Sequence, residues 1–210
     1  MHFKDTGVAQ HTPLKNNLWL TLRHAEPKDA EKMLAYLNQV AGESENITFG
    51  PGELGLSVEE ERAFLRQTTE SPTSFYVIAE IAGEIAGTLS FNAGKRPRLQ
   101  HAGELGMTVL RRYWNLGIGS RMLAYLIDWA RETGTIRKIN LRVRVDNLPA
   151  IHLLLSLTSS IRPALVLHLG MSGPRDERIR SQTECQKDRA HDEQADRVAP
   201  CVRMPGATPA

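Results

Sequence analysis

The sequence predicts an α/β fold in which helices flank a central sheet. Three observations support this class: strand and helix periods alternate from Leu18 to about Leu157, 41% of the 210 residues are hydrophobic, and the charges nearly cancel. With 26 Lys and Arg against 24 Asp and Glu, the net charge is +2, which gives no general attraction to nucleic acid or an anionic membrane. Any partner must therefore be recognised at a local site.

Composition also bears on location and on metal binding. No stretch approaches the roughly 18 consecutive apolar residues of a spanning helix, and Met1 to Gln10 lacks the apolar core of a secretory signal. We therefore expect a cytoplasmic location. The two cysteines, Cys185 and Cys201, have no spacing typical of a metal site, so we expect free thiols and no metal.

The composition changes sharply along the chain. All twelve aromatic residues lie between Phe3 and Trp129, and the segment from Met171 to Ala210 contains neither Leu nor Phe. Such a segment buries too little apolar surface to offset the entropy of ordering it. We therefore predict one domain over residues 1–170, followed by a charged and mostly disordered tail over residues 171–210.

The first elements have clear local signals. Leu18 to Arg23 has the pattern of a strand, and His24 to Asn38 has the pattern of a helix, with Pro27 near its first turn. A glycine-rich connection, Gly42 to Ser57, follows. Ser57 then begins a Ser-x-x-Glu capping box that predicts the start of a second helix.

After Pro72 the hydrophobic period becomes that of strands. Ser74 to Ile81 and Glu84 to Phe91 flank a turn at Ala82 and Gly83, which predicts a hairpin. Four further elements follow, each identified by its period and its Gly or Pro boundaries: a strand Glu104 to Leu110, a helix Gly117 to Thr133 ended by Gly134, a strand Arg137 to Val145 and a helix Leu148 to Leu157.

The segment from Gly103 to Ser120 carries the clearest chemical signal, because it runs strand, turn, glycines and helix. The first N–H groups of such a helix lack intrahelical partners and point outward together, so they can bind a pyrophosphate. Gly117 and Gly119 would allow close approach, and Arg111 and Arg112 could complement phosphate charge. The alternative is that the glycines only let a helix pack closely on a sheet.

Two common nucleotide motifs fit poorly. Met122 occupies the third glycine position of the dinucleotide fingerprint, and no Gly-Lys-Ser/Thr ending of a phosphate-binding P-loop is present. The segment instead resembles the GNAT family of acyl-CoA N-acyltransferases, whose signature is Arg or Gln, x, x, Gly, x, Gly or Ala. Here that window runs from Trp114 to Gly119, with Trp in the first place as a departure.

A second segment extends the resemblance. Asp146, Asn147, Ala150 and Ile151 are similar to the family's D-N-x-x-A-I segment, and the order of elements agrees from Leu18 to about Leu157. The resemblance implies the acyl-CoA N-acyltransferase fold, with a central mixed, mostly antiparallel sheet. It also implies transfer of an acetyl group from acetyl-CoA to a primary amine, by direct attack in a ternary complex.

The resemblance places the coenzyme between two strands, Glu104 to Leu110 and Arg137 to Val145, which would splay apart. It assigns the coenzyme contacts to Met107, Thr108, Val109, Arg112, Leu116, Gly117, Ile118, Gly119, Ser120 and Asn147. Backbone N–H groups near Met107 to Val109 would polarise the thioester carbonyl. The acceptor would be a small-molecule or peptide amine, and a homodimer stays open.

Glu104 is our candidate for the base that takes the proton of the amine, and an ordinary solvent-facing strand carboxylate is the alternative. In the family a tyrosine protonates the departing thiolate, but Leu154 stands at that place. Tyr113 is the candidate substitute, although packing beside Trp114 would equally explain it. Glu43, Glu45 and Glu53 could attract a cationic acceptor, or simply lie in a solvated loop.

The family pattern fails at the C-terminal end. Thr158 and Ser159 stand where the family has Gly-Phe, and Ala164 to Leu169 is the one segment after them with strand character. We therefore predict that the last strands are missing or replaced, that the chain after about Leu157 is not native to the fold, and that the strand Arg137 to Val145 is incompletely covered. Two alternatives follow: a coenzyme A-binding protein with weak or no catalysis, and a non-enzymatic interaction protein.

Overall fold

The computed structural model describes residues 9–15, 17–158 and 166–172. Within these residues seven strands form one sheet in the order of the chain, and its first four pairings are antiparallel and its last two parallel. The strands are β1 (Gln10–Pro13), β2 (Trp19–His24), β3 (Ser74–Ile81), β4 (Glu84–Ala93), β5 (Ala102–Val109), β6 (Lys138–Arg144) and β7 (Val166–Ser172). The predicted mixed, mostly antiparallel sheet is confirmed.

Helices cover both faces of this sheet. They are α1 (Ala30–Ala41), α2 (Val58–Glu70), α3 (Ile118–Thr133) and α4 (Leu148–Thr158). Because side chains alternate along a strand, β3 contributes to two cores. Val77 packs in the core that contains α3 and Leu154 of α4, whereas Tyr76 and Ile78 pack in the core that contains residues of α1 and α2. None of these helices is long and apolar enough to cross a membrane.

The local signals of the sequence are confirmed. The Ser57 hydroxyl accepts the N–H of Glu60 at 3.2 Å, and the Glu60 carboxylate accepts the N–H of Ser57 at 2.8 Å, which is the predicted capping box. Ala82 and Gly83 both have positive φ angles, 51° and 81°, as a tight two-residue hairpin requires. Gly134 ends α3 with a φ of 62°.

The N-terminal region differs from the prediction in two ways. The sequence analysis missed β1, which is four residues long and largely polar. The predicted helix from His24 to Asn38 begins later, at Ala30, after a 3₁₀ turn over Pro27–Asp29. The carboxylate of Asp29 accepts the N–H of Glu26 at 2.8 Å, and this bond holds the entry to the turn.

The pairing of β5 with β6 is short. Three residue pairs connect the two strands, from Ala102 opposite Lys138 to Glu104 opposite Asn140. Both strands then continue without pairing to each other, over residues 105–109 and 141–144. The predicted splay between these strands is confirmed, and it leaves an opening in the middle of the sheet.

The cover on β6 is more complete than predicted. Every residue of β6, from Lys138 to Arg144, pairs in parallel with β7, so the expectation of an incompletely covered strand is wrong for these residues. The predicted strand Ala164 to Leu169 is described from Val166 onward, and it continues to Ser172 as β7. Met171 and Ser172, the first two residues of the predicted tail, therefore pair with β6. The rest of that tail, residues 173–210 with Cys185 and Cys201, lies outside the described residues.

Candidate active site

The start of α3 has the arrangement of backbone N–H groups that the sequence predicts. Gly117 precedes the helix with a left-handed φ of 80°, and no side chain among the described residues caps this end. The first helical hydrogen bond runs from the N–H of Arg121 to the carbonyl of Gly117, at 3.2 Å. The N–H groups of Ile118, Gly119 and Ser120 therefore have no hydrogen-bond partner within the helix, and an anion can bind them.

The two glycines of this turn have different physical roles. Gly117 is required by its positive φ, which side chains rarely adopt, and a Cβ there would lie 3.0 Å from Nη1 of Arg121. A Cβ on Gly119 would lie 2.9 Å from Cδ2 of Leu153, so this glycine lets α3 pack closely on α4. One glycine therefore shapes the turn and the other serves packing, and the approach of a pyrophosphate to this turn stays a prediction. Leu116 is half-buried, and Ile118 is buried in the core.

Alternation along β5 decides which backbone groups face the opening. Leu110 donates its N–H to Ala86 of β4, and Ala102 accepts an N–H from Gly94, so even-numbered residues of β5 bond toward β4. Met107 and Val109 consequently present their N–H and C=O groups to the opening. The backbone of Thr108, the middle residue of the predicted contact segment Met107 to Val109, points toward β4 instead.

Trp114, the departure from the family signature, closes over the end of this opening. Its indole N–H donates to the carbonyl oxygen of Val109 at 2.7 Å. The guanidinium of Arg111 lies 5.4 Å from the centre of the Trp114 ring, in a cation–π contact. The side chain at this signature position therefore contacts a backbone group that faces the opening.

Arg112 and Tyr113 are directed to the start of β4. Arg112 forms an ion pair with Glu84, and its guanidinium lies 5.1 Å from the centre of the Tyr113 ring. The Tyr113 hydroxyl donates to the same carboxylate at 2.9 Å. The predicted phosphate contact of Arg112 and the predicted proton donation by Tyr113 therefore each require release from Glu84.

Asn147 lies at the start of α4, as predicted. Its Oδ1 accepts the N–H of Ala150 at 3.3 Å, and its backbone carbonyl accepts the N–H of Ile151 at 3.1 Å. This is the geometry of a helix cap, which uses the side-chain oxygen and leaves the amide nitrogen for another contact.

A polar surface lies beside the opening, on the face of the sheet that carries α1 and α2. Glu104 and Thr108 share this face with Leu110, which packs in the core of α1 and α2. On β4 the residues opposite Glu104, Gly106 and Thr108 are Asn92, Ser90 and Thr88. Thr88 and Ser90 are only 4% and 8% exposed. Sequence reasoning missed them, although the alternation in Thr-Leu-Ser-Phe-Asn was a usable signal.

Glu104 is bound at the point where the strands diverge. Its Oε1 accepts from Nε and Nη2 of Arg142 on β6, at 2.8 and 2.5 Å. About half of each side chain is exposed to solvent, so the pair has little effect on stability. The predicted base therefore lies beside the opening and is held in place by an arginine from the opposite strand.

Three hydroxyl groups meet on the same face as Glu104, four positions further along β5. The hydroxyl of Tyr36, from α1, lies 2.9 Å from Oγ1 of Thr108, and Oγ1 of Thr88 lies 3.0 Å from the same atom. Tyr36 is 4% exposed. Burial raises the pKa of Tyr36 to about 12, so this phenol keeps its proton at neutral pH.

A cleft of about 820 Å³ lies over the ends of β5 and β6, and the loop between α1 and α2 forms one wall. Arg144 binds Asp146 through two hydrogen bonds of 2.9 and 2.6 Å, which lower the pKa of that carboxyl. The three loop carboxylates singled out by the sequence also line the cleft, and no ion pair is formed by any of them within the described residues: Glu43, Glu45 and Glu53.

Two further sequence expectations can be placed. Leu154, at the position of the family tyrosine, is 2% exposed and packs in the core, so no proton donor stands there. His152 is exposed on α4. Within the described ranges, no group of three His, Cys, Asp or Glu side chains has the geometry to hold a metal ion.

Comparison with known proteins agrees with this geometry. Residues 43–157 match the acetyltransferase (GNAT) family. The chain is 36% identical to an acetyltransferase of the GNAT family from Streptococcus pneumoniae, with 65% of this chain and 82% of that chain covered and a TM-score of 0.64. It is 26% identical to the L-amino acid N-acetyltransferase AaaT of Escherichia coli, over 63% of this chain and 77% of that protein.

A third relative is matched over a smaller part of its length. The chain is 32% identical to an N-alpha-acetyltransferase of Sulfurisphaera tokodaii over 43% of its own residues, and it spans 58% of that protein. The family match extends over more than half of the chain. Together with the uncapped start of α3 and the splayed strands, these comparisons establish that the chain belongs to the GNAT family of N-acetyltransferases.

Proposed function

We propose that this N-acetyltransferase moves an acetyl group from acetyl-CoA to a primary α-amino group, by direct attack within a ternary complex. The observation that carries the proposal is the opening between β5 and β6, which lies next to the uncapped start of α3. The opening between the strands and the anion site at the start of α3 are therefore adjacent. Acetyl-CoA, a long thioester that carries a diphosphate, requires both.

The coenzyme side of the site consists mainly of backbone. The N–H groups of residues 118–120 would bind the diphosphate, and those of Met107 and Val109 would donate to the amides and the thioester carbonyl of acetyl-CoA. Such donors stabilise the negative charge that develops on the carbonyl oxygen during attack. The amide nitrogen of Asn147 and the guanidinium of Arg112 would add contacts at the edges, the latter after release from Glu84.

The acceptor side carries the base. Glu104 would take the proton of the attacking amine, directly or through water, and Arg142 would hold its carboxylate at the opening. Tyr113 remains the sequence-based candidate for proton donation to the coenzyme, and it would have to exchange its bond to Glu84 for one to sulfur.

The cleft supports a cationic acceptor. Within the described residues, Glu43, Glu45 and Glu53 line it without ion pairs, and Arg144 and Asp146 neutralise each other. Arg111 also lines the cleft and offsets one of the three remaining negative charges, so the wall stays negative. An ammonium group would be attracted to such a wall before it loses its proton. The relatives named for L-amino acids and for N-alpha acetylation favour an amino acid or a peptide N-terminus as the acceptor. A cytoplasmic location and a homodimer remain predictions.

Calorimetry and thiol release test the proposal in sequence. Wild-type protein should bind coenzyme A, and it should release free thiol from acetyl-CoA when amino acids or short peptides are added. Glu104→Gln should lower kcat by 10²-fold or more with nearly unchanged coenzyme affinity. Asp128→Asn is the matched control, because Asp128 is also an exposed, arginine-paired carboxylate but lies on α3, outside the residues of the proposed site.

The same measurements separate the alternatives. Binding without thiol release from any amine would identify a coenzyme A-binding protein, and no binding by folded protein would leave an interaction protein. Family membership favours neither alternative. Equal losses of turnover in Glu104→Gln and Asp128→Asn would remove Glu104 from the role of base.

A further inference from the structure

The reaction needs a hydrogen-bond donor for sulfur that the family position does not supply. When the C–S bond breaks, the electron pair stays on sulfur and its negative charge must be stabilised. Leu154 offers only methyl groups and is buried in the core. The hydroxyl of Tyr113 already donates to Glu84 at 2.9 Å.

Thr108 is a candidate for such a donor, because it lies at the edge of the opening. It stands four positions after Glu104, the last β5 residue that pairs with β6, and its neighbours Met107 and Val109 have backbone groups that face the opening. Its side chain is half-buried and lies on the same face as Glu104. Gly106 lies between Glu104 and Thr108 on this face and has no side chain. The two side chains are therefore separated by about 13 Å of strand, with open space between them.

One arrangement of these hydrogen bonds, with Tyr36 and Thr88 as the donors, leaves the Thr108 proton available. A threonine hydroxyl has one hydrogen and two lone pairs. Tyr36 and Thr88 approach its oxygen at 2.9 and 3.0 Å, and when both donate, they fill both lone pairs. Because burial raises the pKa of Tyr36 to about 12, its phenol keeps its proton at neutral pH and is able to donate it to Thr108. The single hydrogen of Thr108 is then free to point into the opening.

We propose that Thr108 is a catalytic residue that donates a hydrogen bond to the departing coenzyme sulfur, and that Tyr36 and Thr88 are positioning residues for its hydroxyl. The inference rests on the proposed function. In this step the N–C bond has formed, the C–S bond breaks, and the electron pair remains on sulfur. The amine proton goes to Glu104, and Thr108 keeps its own proton. The coenzyme leaves as a thiolate, which is reasonable because an ordinary thiol has a pKa of about 8.5.

Substitutions at two positions test the assignment. Thr108→Val keeps the shape and removes the hydroxyl, so kcat should fall about 10- to 100-fold while coenzyme affinity and the melting temperature change little. Thr108→Ser keeps the hydroxyl and should retain most of the activity. Tyr36→Phe should lower kcat less than Thr108→Val does, because the hydroxyl is present but less firmly oriented.

A binding measurement adds a readout that a structural role would not change. The thiol of coenzyme A bound to wild-type protein should titrate below its ordinary pKa of about 8.5, since a hydrogen bond favours the thiolate, and ultraviolet absorbance follows this titration. In Thr108→Val and Tyr36→Phe the pKa of the bound thiol should rise toward the ordinary value. An identical thiol pKa in wild type and Thr108→Val would overturn the assignment.

The two proposals fail in different ways. If wild-type protein neither binds coenzyme A nor releases thiol, the proposed function fails and the role of Thr108 fails with it. If wild type is active and Thr108→Val keeps its kcat, the proposed function stands and the Thr108 assignment is wrong. If Thr108→Val does not fold, Tyr36→Phe decides, because an unchanged kcat and thiol pKa in that variant would contradict the positioning role.

Discussion

The indole of Trp114 is hydrogen-bonded to the carbonyl oxygen of Val109 at 2.7 Å, so the first residue of the glycine signature contacts the strand that borders the opening. Val109 is one of the β5 residues whose backbone faces that opening. A coenzyme that enters there must lie against this indole or displace it. Trp114 is 39% exposed, which leaves its ring free to respond.

Trp114 should therefore report coenzyme binding by fluorescence. Addition of coenzyme A should change the emission of wild-type protein, because the polarity around the indole changes when the opening fills. Trp114→Phe should lose this change. Trp19→Phe is the control and should keep it, since Trp19 lies on β2 and is 61% exposed. A signal that survives in Trp114→Phe would place the coenzyme elsewhere.

The two left-handed glycines at the ends of α3 allow a matched test of the anion site. Alanine should cost about 1 kcal/mol of unfolding free energy at either position, because both φ angles are positive, 80° at Gly117 and 62° at Gly134. Only Gly117→Ala should weaken coenzyme A binding, by tenfold or more in calorimetry. A Cβ on Gly134 meets nothing within 4 Å. Equal losses of affinity in both variants would contradict an anion site at the start of α3.

Glu61 should make the protein less stable as the pH rises. Its side chain is buried in α2, its Oε1 has no hydrogen-bond partner within the described residues, and burial raises the pKa of its carboxyl from 4.5 to about 7. Between these two values the folded state keeps a proton that the unfolded state has released. The unfolding free energy should therefore fall through this window, by up to about 3 kcal/mol.

Denaturant unfolding at pH 5 and pH 8 measures this effect. Glu61→Gln cannot ionise, so it should gain stability relative to wild type at pH 8 and differ much less at pH 5. Glu59→Gln is the control from the same helical turn, because its side chain is 79% exposed and should show no such pH dependence. A wild-type protein that is more stable at pH 8 than Glu61→Gln would refute the assignment.

The family tyrosine should not be tolerated at Leu154. This side chain is 2% exposed within a packed core, so Leu154→Tyr should lose about 1–3 kcal/mol of unfolding free energy through overpacking. It should also fail to raise kcat, because the added hydroxyl would lie in the core and not at the opening. Leu154→Met, of similar volume, should lose less than about 1.5 kcal/mol. A stable and faster Leu154→Tyr would show that this position can supply the donor.

The elements that the sequence predicted well depend on residues close together in the chain. The capping box joins Ser57 to Glu60, and the bounds of α3 follow from Gly117 and Gly134. The hairpin turn at Ala82 and Gly83 is equally local. In each case the physical cause lies within a few residues of its effect, so a single sequence contains the necessary information.

The partners of the site residues depend on strand register and could not be predicted. Glu104 is bound by Arg142, 38 positions away, and Arg112 by Glu84, 28 positions away. The Tyr36 and Thr108 hydroxyls, 72 positions apart, meet only because α1 packs on one face of β5. The period of a strand shows which residues share a face. It does not show which helix covers that face.

The opening between β5 and β6 has a consequence for engineering. It is formed by two backbones that diverge after Glu104 and Asn140, so its width depends on where pairing stops and not on the size of any one side chain. The proposed acceptor surface is built instead from replaceable side chains on one face of those strands. Acceptor preference should therefore be open to redesign through that face without a loss of affinity for the acyl donor.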